Sequence, residues 1–423
     1  MIEGYFTRDG RFCIDGIAVD EVVSRCGTPC YLYAASLVDA KYKMLSSSFP
    51  GFEIFYSLKA NPNVAIAARL RSLGARADVS SLGELESALA AGFEPCNIAF
   101  VGPGKTEKEI DAAVRKGVYA IAVESVNELA LTESVCRRLS APVNVLLRIN
   151  TLEEASSPEM MVGGPSKFGF DEESVVEQVR RVELEYVRLV GVHVYSASQV
   201  LDAGFISDHV EYVGDLALKL SGLLDFELRC VDFGGGFGIP YGEDESDLDL
   251  EPISHAAAGV RRRLEEESPG CRLIFEVGRY LLAESGVFIT RVLNVKESRG
   301  RCFVITDGGM NHFTRPVFMG VKHAARVLNK FTQGRDTMCS IGGPVCTPID
   351  VIAEGVLLPH PEPGDIVGIF DAGAYGYTMS MINFMSLGAP AEVMVDKGGL
   401  HVIRRSKPPA HVLGDQVIPD QPV

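Results

Sequence analysis

Eight short apolar segments alternate with helical patterns between residues 53 and 276, and this alternation constrains the fold more than any other feature. Apolar residues in the stretches between them recur every three or four positions, which is the spacing of an amphipathic helix. Near-continuous hydrophobicity is typical of parallel strands that are buried on both faces. The pattern predicts an α/β fold of the (β/α)8 TIM-barrel class, with a doubly wound open sheet as the alternative. The segments are 53–58, 76–79, 97–101, 119–123, 143–149, 189–195, 230–233 and 272–276.

A polar residue or a glycine lies at or just past the end of every one of these segments. In a TIM barrel the carboxyl ends of all strands converge on one mouth, where barrel enzymes carry their catalytic groups. This placement favours the barrel over the open sheet. The residues concerned are Lys59, Ser80, Gly102, Glu124, Asn150, Ser196, Gly234 and Glu276.

The pattern changes to β-hairpins after residue 280. Residues 286–309 and 391–405 each contain two strand-like runs around a glycine-containing turn, and residues 11–19 are also strand-like. We therefore predict a mainly β second domain that both chain ends form. Residues 1–30 contribute its N-terminal strand or strands, residues 31–280 form the barrel, and residues 281–423 complete the β domain.

Charge and cysteine content narrow the functional class. The net charge of −16 argues against nucleic acid or an anionic membrane surface as the main partner. No apolar run reaches the roughly 20 residues of a membrane-spanning helix. The ten cysteines include no C-x-x-C pair, so reduced thiols and a cytoplasmic protein without a metal site are expected.

Lys59 is the first candidate for covalent chemistry. It ends the first apolar segment, and the turn-forming residues Ala-Asn-Pro-Asn follow it. An amine that is desolvated between apolar neighbours at a barrel mouth suits Schiff-base chemistry. The alternative is a strand-end lysine whose side chain simply reaches water.

The ends of the seventh and eighth segments suggest an anion and a pyridine site. The glycines of 232–238 (DFGGGFG) would let backbone amides approach a phosphate, although a tight turn would use them equally well. Glu276 would pair with a protonated pyridine nitrogen, and Arg279 would face the phosphate. A salt bridge between Glu276 and Arg279 is the alternative.

The end of the sixth segment adds His193 and Ser196, in HVYSAS. An imidazole at this position would stack on a flat cofactor, and the serine hydroxyl would reach a phosphate, although a histidine is more often structural. Four strand ends then provide a lysine, a stacking group, an anion cradle and a carboxylate. Together they describe a pocket for pyridoxal 5'-phosphate.

The sequence resembles the fold-type III pyridoxal-phosphate decarboxylases, the superfamily of diaminopimelate, ornithine and arginine decarboxylases. The resemblance covers nearly the whole chain, in the order of the family, and implies an alanine racemase-like barrel. The motifs that carry it are YSLKANPN (56–63), DVSSLGEL (78–85), GPGK (102–105), SKFGF (166–170), HVYSASQ (193–199), DFGGGFG (232–238), EVGR (276–279), GGPVCTPID (342–350) and GAYG (373–376).

The resemblance also implies roles for individual residues. Lys59 binds the cofactor aldehyde, His193 stacks on the ring, Glu276 pairs with the pyridine nitrogen, and Asp78 lies near the cofactor. Cys346 comes from the partner subunit of a homodimer and returns a proton after carbon dioxide has left; its alternative is a small buried hydrophobe. The residues implied to hold the phosphate are Ser196, Gly235, Gly236, Arg279 and Tyr375.

Departures from the family pattern lie at substrate-side positions. Tyr195 replaces the usual glycine after His-Val, Thr347 replaces a frequent acidic residue after the cysteine, and Asp350 follows three positions later. The run after GAYG lacks the usual Asn- and Arg-containing sequence. Together with MMVGGPSKFGF (160–170) and DGGMNHF (307–313), this resembles a subgroup from antibiotic and siderophore pathways, some of whose members act on carrier-protein-tethered amino acids. Arg315 lies where the family often has an arginine for the substrate carboxylate.

The activity expected from this resemblance is decarboxylation of the α-carboxylate of an amino acid, free or tethered to a carrier protein. Three alternatives remain open. One is a diaminopimelate or basic amino-acid decarboxylase of primary metabolism, and a second is an amino-acid racemase on the same barrel. The third is a catalytically inactive regulatory homologue.

Overall fold

Eight parallel strands close into a barrel in the computed structural model, which describes residues 5–152, 163–242 and 244–419. Each strand pairs with the next, and β8 pairs with β1 through Leu273 and Phe52, so the ring has no free edge. The predicted TIM barrel is confirmed, and the open-sheet alternative is wrong. The strands are β1 (Phe52–Ser57), β2 (Arg76–Val79), β3 (Ile98–Phe100), β4 (Ala120–Val123), β5 (Val143–Asn150), β6 (Val187–His193), β7 (Cys230–Asp232) and β8 (Arg272–Val277).

A helix follows each of the first seven strands within the described residues. All but α5 begin after an Asn, Ser, Thr or Asp whose side chain accepts a backbone amide of the first turn. At the start of α3, Thr106 and Glu109 form a full capping box. The helices are α1 (Val64–Leu73), α2 (Leu82–Ala90), α3 (Glu107–Lys116), α4 (Val126–Leu139), α5 (Val175–Val179), α6 (Ala203–Leu224) and α7 (Leu250–Glu267).

Side chains from the strands fill the barrel, as in other TIM barrels. They form one buried cluster whose members include Phe55 of β1, Leu146 of β5 and Ile274 of β8. A short strand, Phe170–Asp171, pairs in parallel with the end of β5. The carboxyl ends of the strands are therefore fixed by a packed core beneath them.

Both ends of the chain contribute to a mainly β unit, as predicted. Strand Cys30–Ala34 pairs antiparallel with Gly286–Ser298 and parallel with Ala391–Asp396, which joins early and late residues in one nine-stranded sheet. The predicted hairpins form: Gly286–Ser298 pairs with Arg301–Thr306, and Ala391–Asp396 pairs with Gly399–Arg404. The other strands of this sheet are Ala325–Val327, Thr337–Gly342, Val351–Leu358 and Ile366–Ile369, and a separate sheet holds Tyr5–Arg8, Arg11–Ile14 and Ile17–Ala18.

The remaining α-helices among the described residues are Val19–Cys26, Ala35–Ser48, Arg279–Leu282 and Arg315–Met319. The chain divides into two compact units. One comprises Met1–Ala40, Tyr241–Glu245 and Leu282–Val423, and the other Lys41–Pro240 and Ser246–Leu281. Residues 1–4 and 420–423 of the predicted β domain lie outside the described residues, and its predicted limits at 30 and 281 stay predictions. In the part of the chain that the structure describes, no helix has both the length and the hydropathy to cross a membrane.

Candidate active site

Four of the predicted site residues lie at the carboxyl ends of barrel strands. Lys59 lies in a short 3-10 turn, Leu58–Ala60, directly after β1, and Asp78 lies in β2. His193 is the last residue of β6, and Glu276 lies near the end of β8. Because the strands are parallel, these side chains share one end of the barrel.

Lys59 lies beside Tyr195. Its amine is 4.7 Å from the centroid of the Tyr195 ring, close enough for a cation–π contact. Tyr195 is the residue that replaces the glycine usual in the family. The tyrosine that departs from the family pattern therefore contacts Lys59, the lysine predicted to bind the cofactor covalently.

His193 and Glu276 form a buried pair. The Nε2 atom of His193 lies 3.4 Å from Oε2 of Glu276, and each side chain is 1% exposed. Burial opposes ionisation of Glu276, but His193, Lys59 and Arg148 outweigh it and lower the pKa of this carboxyl. Glu276 therefore carries a negative charge at the mouth of the barrel.

Two neighbouring carboxyl groups behave in the opposite way. Burial and the charge of Glu276 raise the pKa of Asp78 to about 8. The same two causes raise the pKa of Asp232, although the Gly234 amide donates a 2.9 Å hydrogen bond to it. Glu276 is thus the carboxyl of the three that ionises most readily.

Several buried polar atoms of this cluster lack a hydrogen-bond partner among the described residues: both oxygens of Asp78, Nδ1 of His193, Oδ2 of Asp232 and Oε1 of Glu276. The Nε2 atom of His193 has only its 3.4 Å approach to Glu276. Buried polar groups are normally paired, so their concentration at one place indicates a polar ligand. An anionic carboxylate beside an imidazole and an amine fits a pyridine ring that carries an aldehyde. Ligating atoms of His193, Asp232 and Glu276 also lie within 4.8 Å of one another, which a metal ion would require as well.

The backbone of the glycine triplet packs so closely against neighbouring segments that no side chain would fit there, unlike in a loose turn. A Cβ atom on Gly235 would lie 1.8 Å from the Glu276 carbonyl oxygen, and one on Gly236 would lie 2.4 Å from that of Ala197. Gly236 also adopts a φ of +91°. Neither the Gly235 nor the Gly236 amide donates to another described residue, so both remain available to an anion.

Ser196 and Arg279 extend this predicted phosphate site. The Ser196 hydroxyl lies 2.9 Å from Nδ1 of His209, a buried residue of α6. Arg279 donates a 3.0 Å hydrogen bond to the Ser198 hydroxyl. His209 was not a sequence-based candidate, because no motif or spacing links it to Ser196.

Glu124 was predicted as a strand-end residue, but its buried ion pair with Arg148 was not predicted. Arg148 of β5 donates a 2.9 Å hydrogen bond to Glu124, which accepts the Gly169 amide at 3.1 Å. The Arg148 guanidinium also lies 4.5 Å from the Phe168 ring centroid. These contacts hold the loop that contains the SKFGF motif (166–170) against β5. Residues 160–162 of the longer motif lie outside the described residues.

The four other predicted residues belong to the mainly β unit. The Arg315 guanidinium is buried and lies 5.0 Å from the Tyr241 ring centroid and 5.9 Å from that of Tyr375. Cys346 is exposed, so its interpretation as a small buried hydrophobe is wrong. Its amide donates to the sulfur of Met385 at 3.1 Å.

Asp350 connects two loops of that unit. Its carboxylate accepts the Met310 amide at 2.7 Å and the Val345 amide at 2.8 Å. This bonding indicates that Asp350 orients the segment that carries Cys346. The predicted substrate contact of Asp350 and the roles of Arg315, Cys346 and Tyr375 stay predictions.

Comparisons with known proteins agree with this geometry. Residues 35–283 match the family described as "Pyridoxal-dependent decarboxylase, pyridoxal binding domain". L-glutamyl-[BtrI acyl-carrier protein] decarboxylase from Niallia circulans is 35% identical over 405 residues, which cover 93% of this chain and 94% of the relative. Diaminopimelate decarboxylase from Methanocaldococcus jannaschii is 31% identical over 425 residues, which cover 97% and 96%.

A solved structure of diaminopimelate decarboxylase from m. jannaschii in co-complex with L-lysine has a TM-score of 0.90 to this chain, at 30% sequence identity. The match covers 99% of this chain and 98% of that one. The fold, the barrel-mouth cluster and full-length relatives therefore lead to one assignment. The chain belongs to the pyridoxal-dependent decarboxylase family and is a pyridoxal-phosphate-dependent amino-acid decarboxylase.

Proposed function

We propose that this decarboxylase removes the α-carboxylate of an aminoacyl group that is thioester-linked to an acyl or peptidyl carrier protein in a specialised-metabolite pathway. The observation that carries the proposal is the exposed apolar segment that contacts Cys346. Met381, Phe384 and Met385 are exposed apolar residues of the segment whose Met385 sulfur accepts the Cys346 amide. Thr347 follows the cysteine where an acidic residue is frequent in the family. An uncharged carrier arm suits these side chains better than a distal ammonium or carboxylate group does.

A named relative supports the same choice of substrate. The Niallia circulans protein acts on an L-glutamyl group on an acyl-carrier protein, according to its name, and its similarity extends over 94% of its length. Diaminopimelate decarboxylases are also similar over their full length, so diaminopimelate or another free basic amino acid is the second candidate. The racemase alternative and the inactive-homologue alternative receive no support from these relatives.

Residues of the barrel unit would hold the cofactor and control its charge. Lys59 would bind its aldehyde, His193 would cover one face of the ring, and Glu276 would keep the pyridine nitrogen protonated. When bound, pyridoxal phosphate supplies the electron sink for the electron pair released as carbon dioxide leaves. Gly235, Gly236 and Arg279 would bind the phosphate through two amides and a guanidinium.

We also propose a homodimer with shared active sites. Exposure of Cys346 beside the apolar side chains of Met381, Phe384 and Met385 supports it, because a second copy would cover this surface. Cys346 of one subunit would return the proton in the site of the other. A thiol suits this step because it can exchange a proton near neutral pH.

We also propose a cytoplasmic location. It is supported by free thiols at all ten cysteine positions.

A substrate panel tests the proposal. The holoenzyme is offered free glutamate, diaminopimelate, ornithine and arginine beside the same aminoacyl groups on a carrier protein. Released carbon dioxide and the masses of the carrier-bound products are measured. We expect turnover of a carrier-bound substrate at least about tenfold above the free amino acid, equivalent to about 1.4 kcal/mol of discrimination. Turnover of free basic amino acids alone would refute the tethered substrate and support the second candidate.

A further inference from the structure

Thr314 connects two segments of the mainly β unit that both lead to Cys346. Its hydroxyl donates a 2.6 Å hydrogen bond to the Met310 carbonyl and accepts the Met381 amide at 3.1 Å. Its own amide donates to the Ser380 hydroxyl at 3.2 Å. The Thr314 side chain is buried, so these bonds are not exchanged for bonds to water. One residue therefore joins the two segments.

The hydroxyl of Thr314 does not have the role that its position suggests. Thr314 directly precedes the helix Arg315–Met319, where a threonine side chain commonly accepts an amide of the first helical turn. No such side-chain cap forms at this helix. The hydroxyl instead accepts an amide from the other segment, that of Met381. It therefore serves a tertiary contact and not the local helix.

Both segments continue to the loop that carries Cys346. From the first segment, the Met310 amide donates to the Asp350 carboxylate at 2.7 Å, which also accepts the amide of the residue before Cys346 at 2.8 Å. From the second segment, the Met385 sulfur accepts the Cys346 amide at 3.1 Å. These bonds form a closed network that runs from Thr314 to the cysteine loop by two routes, and we call it the Thr314 network.

The second route passes through a strained stretch of backbone. Met385 and Ser386 have φ values of +57° and +54°, in the left-handed region that favours glycine. Other residues remain there only where the surrounding structure holds them, and such strain is concentrated at functional sites. The Phe384 amide donates to the Met381 carbonyl at 2.8 Å, so the residue that Thr314 holds is bonded directly to this stretch.

We propose that Thr314 is a positioning residue that fixes Cys346 for its proton transfer. The inference rests on the proposed role of Cys346 as the proton donor. Thr314 holds Met381, and through it the strained Met385 that accepts the Cys346 amide. Arg315, the predicted contact of the substrate carboxylate, directly follows Thr314. The Thr314 network therefore also connects the proposed proton donor to the predicted carboxylate contact.

Hydrogen exchange of the holoenzyme tests the network. Thr314→Val keeps the shape of the side chain but removes the hydroxyl, and we expect amide exchange in residues 343–350 to accelerate about tenfold. Thr314→Ser keeps the hydroxyl and should stay within about twofold of the wild type. Thr132→Val is the matched control, because Thr132 is a buried threonine of α4 whose hydroxyl donates to the Glu128 carbonyl at 2.8 Å. It should leave exchange in residues 343–350 unchanged.

Two results of this experiment would overturn the proposal. One is faster exchange in Thr314→Val that is confined to residues 310–314 and 376–388, because the cysteine loop would then not depend on Thr314. The other is equal acceleration in residues 143–150 of β5, which would show a general loss of stability. If Thr314→Val does not fold, Ser380→Ala replaces it, because this change removes the acceptor of the Thr314 amide. Unchanged exchange in residues 343–350 of that variant would also contradict the proposal.

Kinetics separate the positioning role from the proposed proton donor. We expect Thr314→Val to lower kcat about tenfold and to change KM by less than about threefold, because the proton transfer is impaired and substrate binding is not. Thr314→Ser should restore kcat. A Thr314→Val variant with unchanged kcat would refute the positioning role. Full activity of Cys346→Ala would instead refute the proposed proton donor, and it would leave the exchange result for the network unaffected.

Discussion

The Nε2 atom of His193 lies 3.4 Å from Oε2 of Glu276, and this buried pair sets the charge at the mouth of the barrel. Asp78 and Asp232 share the same environment, but burial favours their protonated forms. Glu276 is the carboxyl of the three that is negative, and for this reason we propose it as the partner of the pyridine nitrogen. On that proposal, the electron-accepting capacity of the bound cofactor depends on this difference in ionisation.

Replacement of Glu276 by Gln tests that dependence. The amide retains the size of the side chain but cannot keep a pyridine nitrogen protonated. We expect kcat to fall on the order of 100-fold, while pyridoxal phosphate still binds and gives its visible absorbance. Single-turnover carbon dioxide release measures the step. Full activity in the Gln variant would show that the pyridine charge has another source.

Lys59 should be the attachment point of the cofactor. Lys59→Ala is expected to abolish the visible absorbance of the lysine-bound cofactor and to stop turnover, because no other residue replaces the covalent bond. Lys108→Ala provides the control, since Lys108 is an exposed lysine of α3. Absorbance spectra and borohydride reduction followed by peptide mass spectrometry identify the labelled lysine. A labelled residue other than Lys59 would reject the assignment.

Asp78 should make the stability of the apoprotein depend on pH. Its pKa in the folded chain is about 8, against about 3.9 in an unfolded chain. The folded state therefore holds this proton more tightly, and stability is lost as pH rises between these values. Asp78→Asn removes this titration. The free energy of unfolding of the variant, relative to that of the wild type, should therefore increase by up to about 1.4 kcal/mol per pH unit between about pH 5 and pH 7. Urea unfolding at a series of pH values gives this difference, and a pH-independent difference would show that Asp78 is ionised in the fold.

The buried ion pair of Lys105 and Glu128 should matter for stability. Their charged atoms are 2.7 Å apart, and the side chains are 1% and 8% exposed. Lys105→Met leaves Glu128 without its cation and should lower the free energy of unfolding by about 3 kcal/mol. Arg301→Met provides the control, because Arg301 and Glu354 are 62% and 69% exposed, and losses there stay below about 1 kcal/mol. Urea unfolding measures both losses. Equal losses in the two variants would contradict the claim that burial makes the Lys105–Glu128 pair more important for stability than the exposed pair.

The sequence predicted the barrel strands closely because their hydrophobic runs are local features. β2 was predicted and observed at residues 76–79, and β6 was predicted at 189–195 but observed at Val187–His193. Past His193 the Val194 amide still donates to the Asp232 carbonyl at 3.0 Å, and Val194 and Tyr195 lie directly against Gly234. Lys59, His193 and Glu276 were predictable as a group, because the ends of parallel strands must converge.

Other parts of the site depend on contacts that no local pattern encodes. His209 lies within an amphipathic helix, and its contacts with Ser196 and Phe233 are both tertiary. Asp350 was predicted as a substrate residue. In the structure its carboxylate accepts hydrogen bonds from the amides of Met310 and Val345, which are far apart in sequence. Neither partner set follows a helical or strand period, so sequence analysis could not identify them.

Shared active sites should be visible when two inactive variants are mixed. Lys59→Ala removes the covalent lysine, and Cys346→Ala removes the proposed proton donor, so each homodimer is expected to lose activity. If a site takes Lys59 from one subunit and Cys346 from the other, mixed dimers regain one intact site of two. Random exchange then restores about one quarter of wild-type activity. Cys96→Ala is the control, because Cys96 is the other exposed cysteine; it should be active alone and leave complementation unchanged. Product formation is measured after subunit exchange, and mass photometry verifies that the mixture is dimeric. A dimeric mixture that stays inactive would show that each site takes both residues from one chain.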